Sequence, residues 1–384
     1  MHRFRSPRPT GRSLSDRFDP RDNSIGALRL LLAGTVVVVH AQALGWQESP
    51  LIGRTFIGDL AVDGFFVVSG FLVTRSATTL PTLRRFTWHR LLRIMPGFWA
   101  ALALTALVAA PLLAVLQGLP ASRAFAGPDG AHHYLLRNSL LFTQQWSIAG
   151  LRAGPTGHEQ AMNGSLWTLF YEVLCYGLVA VLVAVGVIRR RGGSHGSQPS
   201  HVLPLAATAG VWAVYTAHSL GVLPGPEFLV RFLLMFLLGG LGHLFANRIR
   251  FTAYLLVPAA ALALASMFRL DDYRCVGAVP FAYLLLWACV ALPVRWASET
   301  DLSYGLYVFH WPVQTVLIAA GGTQFGRVGF TVLALITVTF LALASWHLLE
   351  APALRFKHAR WIDHPGLLLG LGRPGQRDLV PTSS

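Results

Sequence analysis

Two ionisable residues stand eleven apart in an apolar run of membrane-spanning length: Arg29 and His40 within NSIGALRLLLAGTVVVVHAQAL, residues 23–44. An Arg at the centre of a span costs roughly 2.5–3.5 kcal/mol to insert, so it is expected to have a task there. At 3.6 residues per turn, eleven residues make about three turns. Both side chains then leave one helix face, about 16 Å apart in height. That face is expected to line a polar interior. The chemistry open to the pair is proton transfer at the imidazole, whose unperturbed pKa of about 6.5 lies near working pH, and charge stabilisation by the guanidinium.

Four further clusters hold chemistry-bearing groups. GDLAVDGFFVVSGFL places Asp59 and Asp63 on one face of a second apolar run. They either face a cavity or form a structural salt bridge, with Arg29 as a candidate partner. RRFTWHRLLRIMP, residues 84–96, holds Arg85, Arg90 and Arg93. Arg90 and Arg93, three apart on a helix, could grip a phosphate, or the cluster could be a topology signal or a lipid-headgroup contact. NGSLWTLFYEVLCYG sets Glu172 among aromatic residues with Tyr176 a turn away. A carboxylate in such company suits a proton carrier or a neutral hydrogen-bonding post. LSYGLYVFHWPV brings Tyr304 and His310, and SWHLLEAP brings His347 and Glu350. His310 reads first as a packed histidine whose ring N–H meets a backbone carbonyl, and Glu350 as a partner of a nearby Arg such as Arg355. His218 and His243 lack acidic company and read as structural. No metal-ligand spacing, GxSxG elbow or Walker loop occurs, so no metal is expected.

The elements that must position these groups are apolar spans. The 384 residues are 54% hydrophobic and 12% charged, with a mean hydropathy of +0.52, against roughly 25% charged in soluble domains. This predicts an all-α integral membrane protein in the lipid bilayer with about ten transmembrane helices, at 25–45, 57–78, 95–117, 164–188, 202–222, 228–246, 252–270, 276–294, 302–321 and 326–349. The net charge of +14 fits positive cytoplasmic loops, and nucleic acid is not an expected partner. With the N-terminus inside, the cytoplasmic segments carry 22 basic residues and the outer ones 8, which predicts that both termini are cytoplasmic. Residues 1–24 read as a disordered basic arm, 25–350 as the membrane domain, and 351–384 as a cytoplasmic tail. Ala41-Gln42-Ala43 after the first run resembles a signal-peptidase site, but the run's length and the many spans behind it predict a retained helix. Residues 118–163 form a long external loop with a short interfacial helix within HHYLLRNSLLFTQQW, and 189–201 a cytoplasmic linker. The three cysteines, Cys175, Cys275 and Cys289, form no redox spacing.

These clusters, in this order, resemble the type 3 acyltransferase family, membrane enzymes that O-acylate glycans, antibiotics and related acceptors. The matching pieces are Arg29-x10-His40, VDGFFVVSGFL (62–72), HRLLRIMP (89–96), LWTLFYE (166–172), LSYGLYVFHWPV (302–313) and LLEAP (348–352). Departures are Thr168 where Ser is usual, Phe170-Tyr171 ahead of the Glu, and no second acidic residue after Glu172. The resemblance implies a cytoplasmic acyl-CoA donor, with acetyl-CoA the typical case, whose phosphates meet Arg90 and Arg93, with Arg85 in the same cluster. It implies His40 as general base toward a glycan or other acceptor hydroxyl, Arg29 or a nearby donor at the oxyanion, and Asp63 or Glu350 orienting the imidazole or holding Arg29. An acyl-histidine relay is the rival mechanism. A small-molecule or lipid acceptor such as a macrolide is the alternative substrate, and a proton-coupled transporter the alternative class. A cell-membrane, multi-pass location follows.

Overall fold

The computed structural model describes residues 13–153, 161–188, 202–294, 300–359 and 362. Among them the fold is almost wholly helical, as lipid requires of a chain that must satisfy its backbone groups internally. The helices are α1 Leu14–Arg17, α2 Ile25–Trp46, α3 Ile57–Thr79, α4 Leu83–Ala103, α5 Ala110–Leu116, α6 Ala131–Asn138 and α7 Trp167–Ala184. They continue with α8 Val202–Ser219, α9 Glu227–Leu244, α10 Ala253–Arg269, α11 Arg274–Ala291, α12 Ser303–Ala319, α13 Gly326–Ser345 and α14 Ala351–Arg355. A two-residue hairpin, β1 Leu51–Ile52 with β2 Thr55–Phe56, joins α2 to α3.

Every predicted span is occupied by a helix. Among the described residues seven helical stretches are long and apolar enough to cross a membrane. Of the rest, α10 and α12 are 17 residues each, and α8 is diluted by Thr208, Thr216 and His218. Exposed apolar side chains such as Tyr254 (90%), Leu348 (73%) and Leu31 (65%) mark the surface offered to lipid.

Two long helices carry a widened, π-helical turn, Leu104–Ala109 between α4 and α5 and Trp346–Glu350 between α13 and α14. Each lies just ahead of a proline, Pro111 or Pro352. A proline lacks the N–H for the carbonyl four back and its ring clashes there, and the wide turn relieves both. The second of these turns aims Glu350 inward, where it is buried.

Residues 13–24, expected to be disordered, are folded. Ser13 and Asp16 form a reciprocal capping box, Leu14 is fully buried, and its amide donates to the Ile249 carbonyl at 2.8 Å. Phe18 meets Phe71 edge-on at 5.1 Å. The expected short helix of the external loop is α6, beginning one residue earlier than HHYLL and ending at Asn138. The linker 189–201, the first half of the arm, and the tail beyond 359, apart from Ile362, lie outside the described residues.

The core is built on α3, which runs against α9 so closely that their backbones touch. A Cβ on Gly70 would lie 1.9 Å from the Phe236 carbonyl oxygen, and one on Gly239 would lie 1.9 Å from that of Val67. Small residues are what permit such approach between membrane helices. Gly70→Ala is therefore expected to lower stability by about 1–3 kcal/mol through overpacking. Gly177→Ala, where nothing lies within 4 Å, should leave thermal unfolding in detergent unchanged or slightly raised.

Candidate active site

α2 and α12 start at the same end of the bundle and run in parallel, and both ionisable groups of α2 turn toward α12. Near the helix starts, the Arg29 and Arg93 guanidiniums converge on the Asp301 carboxylate, just ahead of Ser303. Ser303 closes the arrangement by donating from its amide to Asp301 Oδ1 at 3.2 Å. Burial would raise the Asp301 carboxyl, but the two guanidiniums outweigh it and hold the group well below the usual carboxylate range. One negative charge thus serves two positive ones.

Beside this cluster opens a narrow cleft lined by α2, α3, α4, α7 and α12. Arg29, Arg90 and Arg93 line one part of it, with Glu172, Thr168 and Tyr307 elsewhere on the wall. Arg90 differs from its neighbours. Its guanidinium lies 5.7 Å from the Tyr176 ring, its Nε is buried without a partner, and among the described residues it makes no direct ion pair, with Glu172 the carboxylate that acts on it from nearby. Glu172 accepts from Tyr176 Oη at 2.5 Å and from Ser69 Oγ at 3.0 Å, which keeps it on the cleft wall. Trp88 and His89 of α4 donate to the carbonyls of Phe356 and Lys357, at 3.0 and 3.1 Å. Burial and the adjacent Arg93 and Arg90 push the Lys357 ammonium below its usual value.

Deeper along α12, Tyr307 shares a 2.6 Å hydrogen bond with Thr168, and one turn on stands His310, fully buried. His310 Nδ1 donates to the Tyr307 carbonyl at 2.8 Å, the backbone contact expected from sequence, while its Nε2 lies 3.0 Å from His40 Nδ1. Trp311 packs on His40 with ring centroids 4.9 Å apart. The segment before α7 is pinned over this region: Trp311 Nε1 donates to the Ala161 carbonyl at 2.7 Å and Asn163 Nδ2 to that of Val308 at 2.9 Å. Gly164 is required there because a Cβ would lie 2.6 Å from the Trp311 ring.

The carboxylates fall elsewhere than expected. Asp63 partners neither Arg29 nor His40. It accepts from Arg231 Nε at 2.9 Å, Arg274 Nε at 2.6 Å and Tyr273 Oη at 2.8 Å, because α3 turns that face to α9 and α11. Asp59 and Asp272 complete this network through the same two arginines. In Asp272, burial would raise the carboxyl, but Arg274 and the Tyr215 hydroxyl overcome it and hold the group below its usual value. Glu350 accepts from Ser345 Oγ at 2.9 Å, with Arg93 rather than Arg355 as its nearby cation and His40 not among its partners. Arg29 stands at the Asp301 end, three turns from His40 along α2. Arg85 does not line the cleft, and its amide bonds the Thr82 cap at 3.2 Å. His218 and His243 hold the Leu223 carbonyl and the Thr78 hydroxyl, as structural histidines do.

The sequence clusters do not include Asp301, and they give His310 only its backbone contact, not its meeting with His40. An Arg29 within a membrane span demands an anion, and Asp301, immediately ahead of the ninth span, offers one.

The acyltransferase domain profile matches residues 22–347 of this chain. The chain is 28% identical over 351 residues to an O-acetyl transferase of Shigella phage Sf6, covering 86% of this chain and 95% of the relative. It is 26% identical over 366 residues to nodulation protein 10 of Rhizobium leguminosarum bv. viciae, covering 87% and 94%. No solved structure matches the chain significantly. The profile runs through the Arg29–His40 helix, the cleft and the His310 helix alike, so the chain belongs to the type 3 acyltransferase family and is a multi-pass membrane O-acyltransferase.

Proposed function

We propose that the protein transfers an acetyl or short acyl group from acyl-CoA to a hydroxyl of an extracytoplasmic glycan, in the cell membrane, with the Arg90 end of the cleft cytoplasmic. The observation that carries this reading is one cleft that joins Arg90, a guanidinium with no direct ion pair and an unpartnered Nε, to the α12 wall behind which His310 and His40 meet. Arg90 makes no direct ion pair, although Glu172 acts on it from within the same cleft, and a nucleotide phosphate suits the guanidinium fork that this leaves open. Arg93 and Arg29 are tied to Asp301, so Arg90, which makes no direct ion pair, is the cleft guanidinium left to meet the phosphate. The pantetheine arm then carries the thioester along the cleft toward His40.

His40 removes the proton of the acceptor hydroxyl as its oxygen bonds to the thioester carbonyl. The tetrahedral oxyanion collapses, the carbon–sulfur bond breaks, and the departing thiolate takes the proton back from His40. Arg29 is held by Asp301 three turns away, so the oxyanion donor in this reading is the Tyr307–Thr168 hydroxyl pair, one turn from His310. The acetyl group is suggested by the name of the phage relative.

Two measurements test it. Membranes given acyl-labelled acetyl-CoA should pass label to envelope glycan in proportion to the protein present. Label appearing instead only in extracted lipid or an added macrolide would move the acceptor class, and a solute accumulating with no label transferred would overturn the reading. Second, Arg90→Met should raise the donor KM about 10- to 100-fold, the worth of a charge-assisted hydrogen bond, with kcat little changed. Arg85→Met, outside the cleft lining, should leave both constants near wild type.

A further inference from the structure

The two histidines form a directional chain whose proton positions follow from their partners. His310 Nδ1 lies 2.8 Å from the Tyr307 carbonyl and 3.3 Å from that of Leu306. A carbonyl only accepts, so His310 Nδ1 carries hydrogen and, in a neutral ring, its Nε2 is a bare lone pair. That lone pair faces His40 Nδ1 at 3.0 Å. Two bare nitrogens would repel at this distance, so the hydrogen between them belongs to His40 Nδ1. Gln314, one turn past His310 and fully buried, donates to the Val37 carbonyl at 2.7 Å and holds α2 in register with α12.

We infer that His310 is a positioning residue that fixes His40 as its Nδ1–H tautomer, leaving His40 Nε2 bare to take the acceptor proton. This rests on the reading of His40 as the general base. The arrangement repeats the orienting logic of an aspartate behind a catalytic histidine, with a neutral imidazole in the carboxylate's place. The substitution makes physical sense inside a membrane. An ionised carboxylate at this depth would be charged at rest and expensive to bury, whereas the histidine pair is neutral at rest and carries charge only after the proton arrives. When it does, the His310 lone pair stabilises the His40 imidazolium across the 3.0 Å bond.

The test uses the full chain in lipid nanodiscs with histidine ring nitrogens labelled with ¹⁵N, the His40 signals being those lost in His40→Gln. The expected result is a protonated Nδ1 and an unprotonated Nε2 for His40, while hydrogen on Nε2 overturns the inference. His310→Leu should release the tautomer and lower kcat about 100-fold at unchanged donor KM. His310→Gln, whose amide oxygen accepts from His40 Nδ1–H, should restore most of the rate and the tautomer. If His310→Leu fails to fold, the wild-type spectrum and the His310→Gln rate still decide the matter, and a His310→Leu enzyme of wild-type kcat sinks the inference. The tautomer is read without turnover, so a wrong tautomer is distinguishable from a wrong base: in the second case His40→Gln keeps its activity while the wild-type spectrum stands.

Discussion

His40→Gln should lower kcat for acyl transfer by about 10²- to 10⁴-fold with little change in the donor KM, the usual worth of a positioned general base. Gln is chosen over Ala because its amide N–H can still donate to His310 Nε2. Ala would leave that buried lone pair unpaired at about 1–3 kcal/mol, and lost stability would then be confused with lost chemistry. The donor KM should hold because Arg90, the cation that meets the phosphates in this reading, lines the cleft, whereas His40 stands behind its α12 wall with His310. The measurement is initial rates of label transfer from acetyl-CoA in reconstituted membranes, with thermal unfolding run alongside. Wild-type kcat in a stable His40→Gln protein would remove His40 from the mechanism. A large rise in donor KM instead would make His40 a binding group.

The spans were legible because a bilayer imposes a crude demand, about 20 apolar residues with their backbone bonds closed internally, and composition reports it directly. Which charged residue meets which was not legible. Arg29 finds Asp301 across 272 positions and His310 finds His40 across 270, and nothing local to either residue encodes the other. The eight basic residues assigned to the outer segments include Arg231 and Arg274, each near the start of a span, yet both are 5% exposed and committed to Asp63. Two arginines at span starts opposite two aspartates at another span start is a readable pattern once buried charges are required to pair. The folded stretch at 13–24 was hidden by its Arg, Asp and Pro content. Its Ser13-x-x-Asp16 capping box was there to be read.

The stability of the bundle should be most sensitive at Asp63, and the expected result separates a structural carboxylate from a catalytic one. Asp63 is fully buried and accepts three hydrogen bonds from α9, α11 and the residue before it, so it ties three helices at one point. Removing one partner of a buried ion pair costs about 3–5 kcal/mol, because the other charge is left in a poor dielectric. Here the low end, about 3 kcal/mol, is expected for Asp63→Asn. Asp59 and Asp272 remain on Arg231 and Arg274, so the formal charges still balance. Those two carboxylates are partly exposed, however, and they cannot replace the inner acceptor. An Asn can offer one carbonyl oxygen where three donors converge, and its own NH₂ must then face one of them. In detergent, Asp63→Asn should therefore unfold at a markedly lower temperature, while the protein that stays folded in native lipid keeps the wild-type donor KM and much of its kcat. A kcat lost at unchanged stability would instead place Asp63 in the chemistry and reopen the assignment of an acidic partner to His40.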